Sequence, residues 1–191
     1  MPRCAFSLRL SLLLLIFLLL LLPFNSFAME AKITNFMITN TADNVLVYFR
    51  VKNCFTKKME DAILAGIPTT FTFYVELYRE RNFWIDKGVS CLKRKHTIKY
   101  DNVKKTFYVS FNDDEKETEQ FKDFKRAKMA MSDLNGIVTA PLEELIRDKK
   151  YYIRVKVQLD KVRLPLHMEY VFFFVSMWDF ETDWYREDFI Y

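Results

Sequence analysis

The sequence predicts a mainly β protein: a single two-sheet sandwich of the immunoglobulin-like kind, with one or two short helices in its connections. Three observations predict it. Apolar, β-branched and aromatic residues alternate with period two along several stretches, the pattern of strands with one face on a core and one in solvent. No strand–helix–strand rhythm and no Gly/Ser/Pro-rich linker divides the chain, so a parallel α/β layout is disfavoured. The stretches that read as helical are short and lie between strands.

In chain order, the first element is a targeting segment. Arg3 and Arg9 supply positive charge, a leucine-dominated run follows from Leu10 to Leu22, and Ser26-Phe27-Ala28 offers small residues at the exit. Charge, apolar run and small-residue exit are the parts of a secretory signal peptide. The apolar run, roughly 13 residues, is short for a span that needs about 20. Residues 1–28 are therefore read as a signal peptide and 29–191 as one β-sandwich domain, exported to the periplasm with no membrane span after cleavage. The alternative is an uncleaved anchor in the inner membrane, because no charge stands between Arg9 and Glu30.

Lys32 to Asn40 reads as the first strand and Thr41-Ala42-Asp43-Asn44 as a turn. Val45, Val47, Phe49 and Val51 then share one face of a second strand. Thr56 to Ala65 is helical, capped at Thr56 and closed by Gly66, with Pro68 beyond. In the next strand Phe71, Phe73, Val75 and Leu77 point one way, and Thr70, Thr72, Tyr74, Glu76 and Tyr78 the other. Val89 to Tyr100 and Val103 to Phe111 form a basic hairpin about a two-residue Asp101-Asn102 turn. Asn112 to Asp123, rich in Asp and Glu, reads as a solvated loop. A helix is expected within Thr118 to Leu134, ended by Gly136, and one further short turn at Pro141 to Arg147. Strands are expected again at Tyr151 to Asp160 and His167 to Trp178.

The chemistry on offer is sparse. Lys and Arg total 29 against 25 Asp and Glu, and the leader removes Arg3 and Arg9, leaving an excess of +2. That is too little for a nucleic-acid binder. His96 and His167 stand outside any nucleophile–base motif, and no serine has a nucleophile-elbow setting. His96, His167, Cys54 and Cys91 lack metal-ligand spacing. A non-enzymatic protein without metal or cofactor is expected. Cys54 and Cys91 either pair as a disulfide in an oxidising compartment or stay free thiols; the sequence leaves both open. Arginine, tryptophan and acid residues concentrate in two places, Glu76 to Asp86 (Arg79, Arg81, Trp84, Asp86) and Trp178 to Arg186 (Trp178, Asp179, Asp183, Trp184). Such residues concentrate binding energy at interfaces but also build structural corners. Ion pairs of Arg79 or Arg81 with Asp179 or Asp183 are expected.

Two of these motifs carry a family resemblance. Ala62-Ile-Leu-Ala-Gly66-Ile-Pro68, followed by Val75-Glu-Leu-Tyr-Arg79-Glu-Arg81-Asn-Phe-Trp84, resembles the signature of the bacterial domain-of-unknown-function family 4390. So does Leu159-Asp160-Lys-Val-Arg163-Leu164-Pro165-Leu166, followed by Trp178-Asp179 and Asp183-Trp184-Tyr185. The resemblance implies an exported proteobacterial protein of one domain and brings no catalytic residues. It also implies genes that neighbour a membrane-bound sensor histidine kinase of the nitrogen-regulation type. The functional expectation is thus a periplasmic interaction domain with a protein partner in the envelope, an accessory to a sensor kinase or another envelope protein. The alternative is a carrier or sensor of an apolar or anionic small molecule, bound among aromatic residues between the sheets.

Overall fold

The computed structural model describes residues 31–112, 114–160 and 181–191. The expected leader, the expected strand His167 to Trp178, and Arg163, Trp178 and Asp179 lie outside the described residues. Within them are nine strands: β1 Lys32–Asn40, β2 Asn44–Lys52, β3 Thr69–Arg79, β4 Lys87–Asp101, β5 Thr106–Phe111, β6 Asp114–Phe121, β7 Asp133–Pro141, β8 Lys150–Leu159 and β9 Tyr185–Ile190. Two helices, α1 Lys57–Leu64 and α2 Phe124–Ser132, and a 3-10 turn at Leu142–Glu144 complete them. The strands form a three-stranded sheet in the order β1-β2-β7 and a six-stranded sheet in the order β6-β5-β4-β3-β8-β9, with antiparallel pairing throughout. The protein is mainly β and two-sheeted; these orders do not by themselves make it immunoglobulin-like.

Alternation puts the core where the sequence placed it. Val45, Val47, Phe49 and Val51 face inward from β2, and Phe71, Phe73, Val75 and Leu77 from β3, the latter four with no solvent exposure. Burying each such side chain stabilises the fold by about 1.5–3 kcal/mol. Phe49 meets Phe73 across the sheets, ring centres 6.0 Å apart, and one hydrophobic cluster spans both layers.

Helix α1 begins where its cap chemistry puts it. Thr56 Oγ1 accepts the Met59 amide at 3.3 Å, satisfying a donor the first turn leaves orphaned. Gly66 ends it at φ +89°, a conformation that costs an L side chain strain.

Several expectations are corrected. The acidic stretch is not a loop: residues from Asp114 to Phe121 pair with β5 as the edge strand β6. An edge strand needs only one hydrogen-bonded flank, and charge on it deters pairing with other chains. The helix is consequently shorter than the expected window, starting after Asp123, whose carboxylate caps Lys125 and Arg126 amides at 3.2 Å. The hairpin turn has four residues rather than two, since Asp101 pairs with Thr106. Asp101 Oδ1 accepts the amides of Val103 and Lys104, each at 2.9 Å, which folds the loop around that carboxylate. Gly136 ends no helix; it sits inside β7 at φ +64°, where a Cβ would come 3.2 Å from the Tyr48 hydroxyl. It lies where β7 carries an extra residue against β2, a bulge that needs that backbone conformation.

Candidate functional site

Directly paired residues on neighbouring strands share a face. Tyr78 of β3 pairs with Tyr152 of β8, and Glu76 with Arg154; Tyr152 in turn pairs with Asp188 of β9, and Arg154 with Arg186. Since Val75 and Leu77 point into the core, this set stands on the outer face of the large sheet.

Its side chains form a continuous stack. Arg186 lies over the Tyr152 ring at 3.7 Å, and Tyr152 stacks on Tyr78 at 5.2 Å with planes 13° apart. Arg154 covers the other neighbour, 4.9 Å from Tyr78 and 4.6 Å from Trp184. Lys156 lies 5.9 Å from the same indole. Cation–π contacts of this kind hold planar groups face to face. The stack is pinned by charge: Arg154 Nε donates to Glu76 Oε2 at 2.6 Å, and Tyr78 donates to the same oxygen at 3.0 Å. Burial, reinforced by the neighbouring carboxylates, pushes the Tyr78 and Tyr152 phenols above their usual range.

The residues singled out in the sequence divide around this stack. Trp184 belongs to it and is 41 % exposed. Asp86 braces the β3–β4 loop: Oδ1 accepts the Arg81 amide and Oδ2 the Tyr152 hydroxyl, both at 3.0 Å. Between those anchors Phe83, Trp84 and Ile85 project outward, 98, 76 and 83 % exposed. Arg79 and Arg81 line a cleft with Lys149 and Lys150 beside that tip. Asp183 lies elsewhere, in a cleft with Ala31 to Ile33 and Trp184; among the described residues neither arginine forms an ion pair with it. Reasoning from sequence missed Tyr152 and Arg154, whereas Arg186 closes the second of the arginine–tryptophan segments read from the sequence. Part of the signal was present, because alternation along β8 sets Tyr152, Arg154 and Lys156 on the face opposite Ile153, Val155 and Val157; their partners across the sheet follow only from strand register.

Cys54 and Cys91 are free thiols. Cys54 is buried, its Sγ 3.4 Å from the Val51 carbonyl, and burial pushes its thiol up to about 12. Cys91 is exposed on β4, opposite Glu76.

His96 lines a cleft of ≈ 390 Å³ that also holds Glu117, Glu119 and Asp133. The ring is 5 % exposed, packed between Phe73 and Phe111 at 4.6 and 4.7 Å. Its Nδ1 donates to the Met131 carbonyl at 3.1 Å; a carbonyl only accepts, so the proton sits on Nδ1. Burial lowers the ring's pKa to about 4. Asp133 is held by Arg50 through two contacts of 2.5 Å. The histidine is thus oriented by a backbone carbonyl. Among the described residues no group of three or more His, Cys, Asp or Glu stands placed to hold a metal ion. Nor does any helix among them have the length and apolarity to cross a membrane.

Fold and surface define a two-sheet antiparallel domain with an arginine–aromatic stack on one sheet face. The chain belongs to the family described as Domain of unknown function (DUF4390), whose model matches residues 28–188. No curated protein and no solved structure matches it.

Proposed function

We propose that this protein is an exported, non-enzymatic interaction domain that docks a protein partner of the bacterial cell envelope, an accessory to a membrane sensor kinase or another envelope component. The observation that carries this reading is the preorganised stack on the outer face of the large sheet. Tryptophan, tyrosine and arginine concentrate binding energy, and groups already held in place lose little freedom when a partner arrives. Arg154 between Tyr78 and Trp184, pinned by Glu76, is such a group. The rings between the sheets, which a small-molecule carrier would use to line a pocket, instead contact one another, as Phe49 does Phe73 and Phe55 does Phe71.

The test is affinity capture of the tagged, exported protein after in vivo crosslinking, comparing the wild type with Trp184→Ser and Arg186→Ser. A membrane protein recovered reproducibly with the wild type and depleted with both variants supports the reading. Recovery that is equal for all three removes the sheet face as the docking surface.

A further inference from the structure

A second contact surface stands apart from the sheet face. The β3–β4 loop ends in three consecutive side chains, Phe83, Trp84 and Ile85, that touch solvent over most of their area. Soluble proteins seldom expose contiguous apolar residues without a use for them. The tip is convex and its base is fixed, because Asp86 ties the Arg81 amide on one side and the Tyr152 hydroxyl on the other. Ile190, 70 % exposed at the end of β9, lies at the same end of the molecule, since it pairs with Lys150 where β8 begins. Beside the tip a cleft of ≈ 560 Å³ gathers Arg79, Arg81, Lys149 and Lys150 against Glu80 and Asp148. Glu143 and Glu144 belong to the β7–β8 connection at this end, so the attraction to anions is local to the cleft and not a property of the whole end.

From the convex apolar tip and the cationic cleft behind it, we infer that this end of the protein seats on an anionic phospholipid surface. Phe83, Trp84 and Ile85 enter the interfacial layer and the Arg79/Arg81/Lys149/Lys150 cleft receives a lipid phosphate. Tryptophan and phenylalanine partition well at that depth, and basic side chains set above them meet the headgroups. A concave protein partner would need a pocket matched to the tip; a bilayer needs none. This contact would hold the domain at a membrane while the sheet face meets its partner, and it stands or falls independently of that partner.

The experiment uses the exported chain purified from cells expressing the full-length gene. It is mixed with vesicles of phosphatidylglycerol and phosphatidylcholine in roughly equal parts, and with vesicles of phosphatidylcholine alone. Co-sedimentation with the anionic vesicles is expected, with a blue shift of tryptophan emission that Trp84→Phe abolishes. The triple variant Phe83→Ser/Trp84→Ser/Ile85→Ser should partition at least about ten-fold more weakly while its circular dichroism and melting stay those of the wild type. Arg81→Gln/Lys149→Gln should weaken binding to anionic vesicles alone. The inference is overturned if the wild type stays in the supernatant, if phosphatidylcholine alone binds it equally, or if the triple variant sediments like the wild type. Photo-crosslinking from position 84 in cells to a protein rather than to lipid would also overturn it.

Discussion

The guanidinium of Arg154 lies over the indole of Trp184, 4.6 Å from its centre, although Arg154 stands on β8 and Trp184 in the segment that leads into β9. The same guanidinium faces Tyr78 and donates to Glu76, whose side chain is only 15 % exposed. Removing Arg154 therefore strips a mostly buried carboxylate of its charged partner. Arg154→Met should destabilise the protein by about 1–3 kcal/mol. A double-mutant cycle with Trp184→Ala should show coupling of about 0.5–1 kcal/mol. Arg154→Lys should recover little, since an ammonium lacks the planar fork that pairs and stacks at once. Urea melts of the four chains of the cycle check this.

His96 makes stability depend on pH. Burial lowers its folded pKa to about 4, below the unfolded value near 6.5. Between those values the unfolded chain binds a proton that the folded chain refuses. The contribution is complete above about pH 6.5 and is lost progressively as pH falls toward about 4, amounting in all to about 3 kcal/mol. In His96→Phe, which keeps the ring between Phe73 and Phe111, the pH 7 to pH 5 loss measured by denaturant titration should be smaller than in the wild type. An equal loss in both proteins would mean that His96 is not the group responsible.

How much of this was legible in the sequence depended on burial. Strands β2 and β3 could be read because the inward positions are four apolar residues in strict alternation and the other face is mostly polar. Helix α1 could be read because Thr56 and Gly66 bracket it. The edge strand β6 was hidden by its own charge: with one flank free it needs no apolar alternation. Strand β7 was hidden by Asn135, Gly136 and Pro141, turn formers that here serve bulges and a strand end. Strand β9, with Arg186, Glu187 and Asp188 in its middle, was lost for the same reason as β6. The concentration of arginine and tryptophan marked Trp84, Asp86 and Trp184. Its inner partners were not found, because Glu76 and Arg154 meet through strand register across 78 residues, which composition does not encode.

Cys54 and Cys91 should differ sharply toward a thiol reagent. Cys54 is buried and its thiol is pushed up to about 12, so little of the reactive thiolate is available; Cys91 is exposed. Under native conditions one thiol should label quickly, and Cys91→Ser should abolish that phase. Labelling of Cys54 should await unfolding. Intact mass should show both thiols reduced in protein handled without oxidant; a mass two hydrogens lighter would reveal a bridge and contradict the arrangement.

The central claim is that the outer face of the large sheet is where a partner docks. Site-specific photo-crosslinking in living cells tests it most directly, with the probe placed in turn at Lys93 and Arg186 on that face and at Met37 and Val138 on the small sheet. The account predicts one discrete crosslinked membrane protein from the first two positions and none from the last two. The same crosslink from all four positions, or from the small sheet alone, would contradict it.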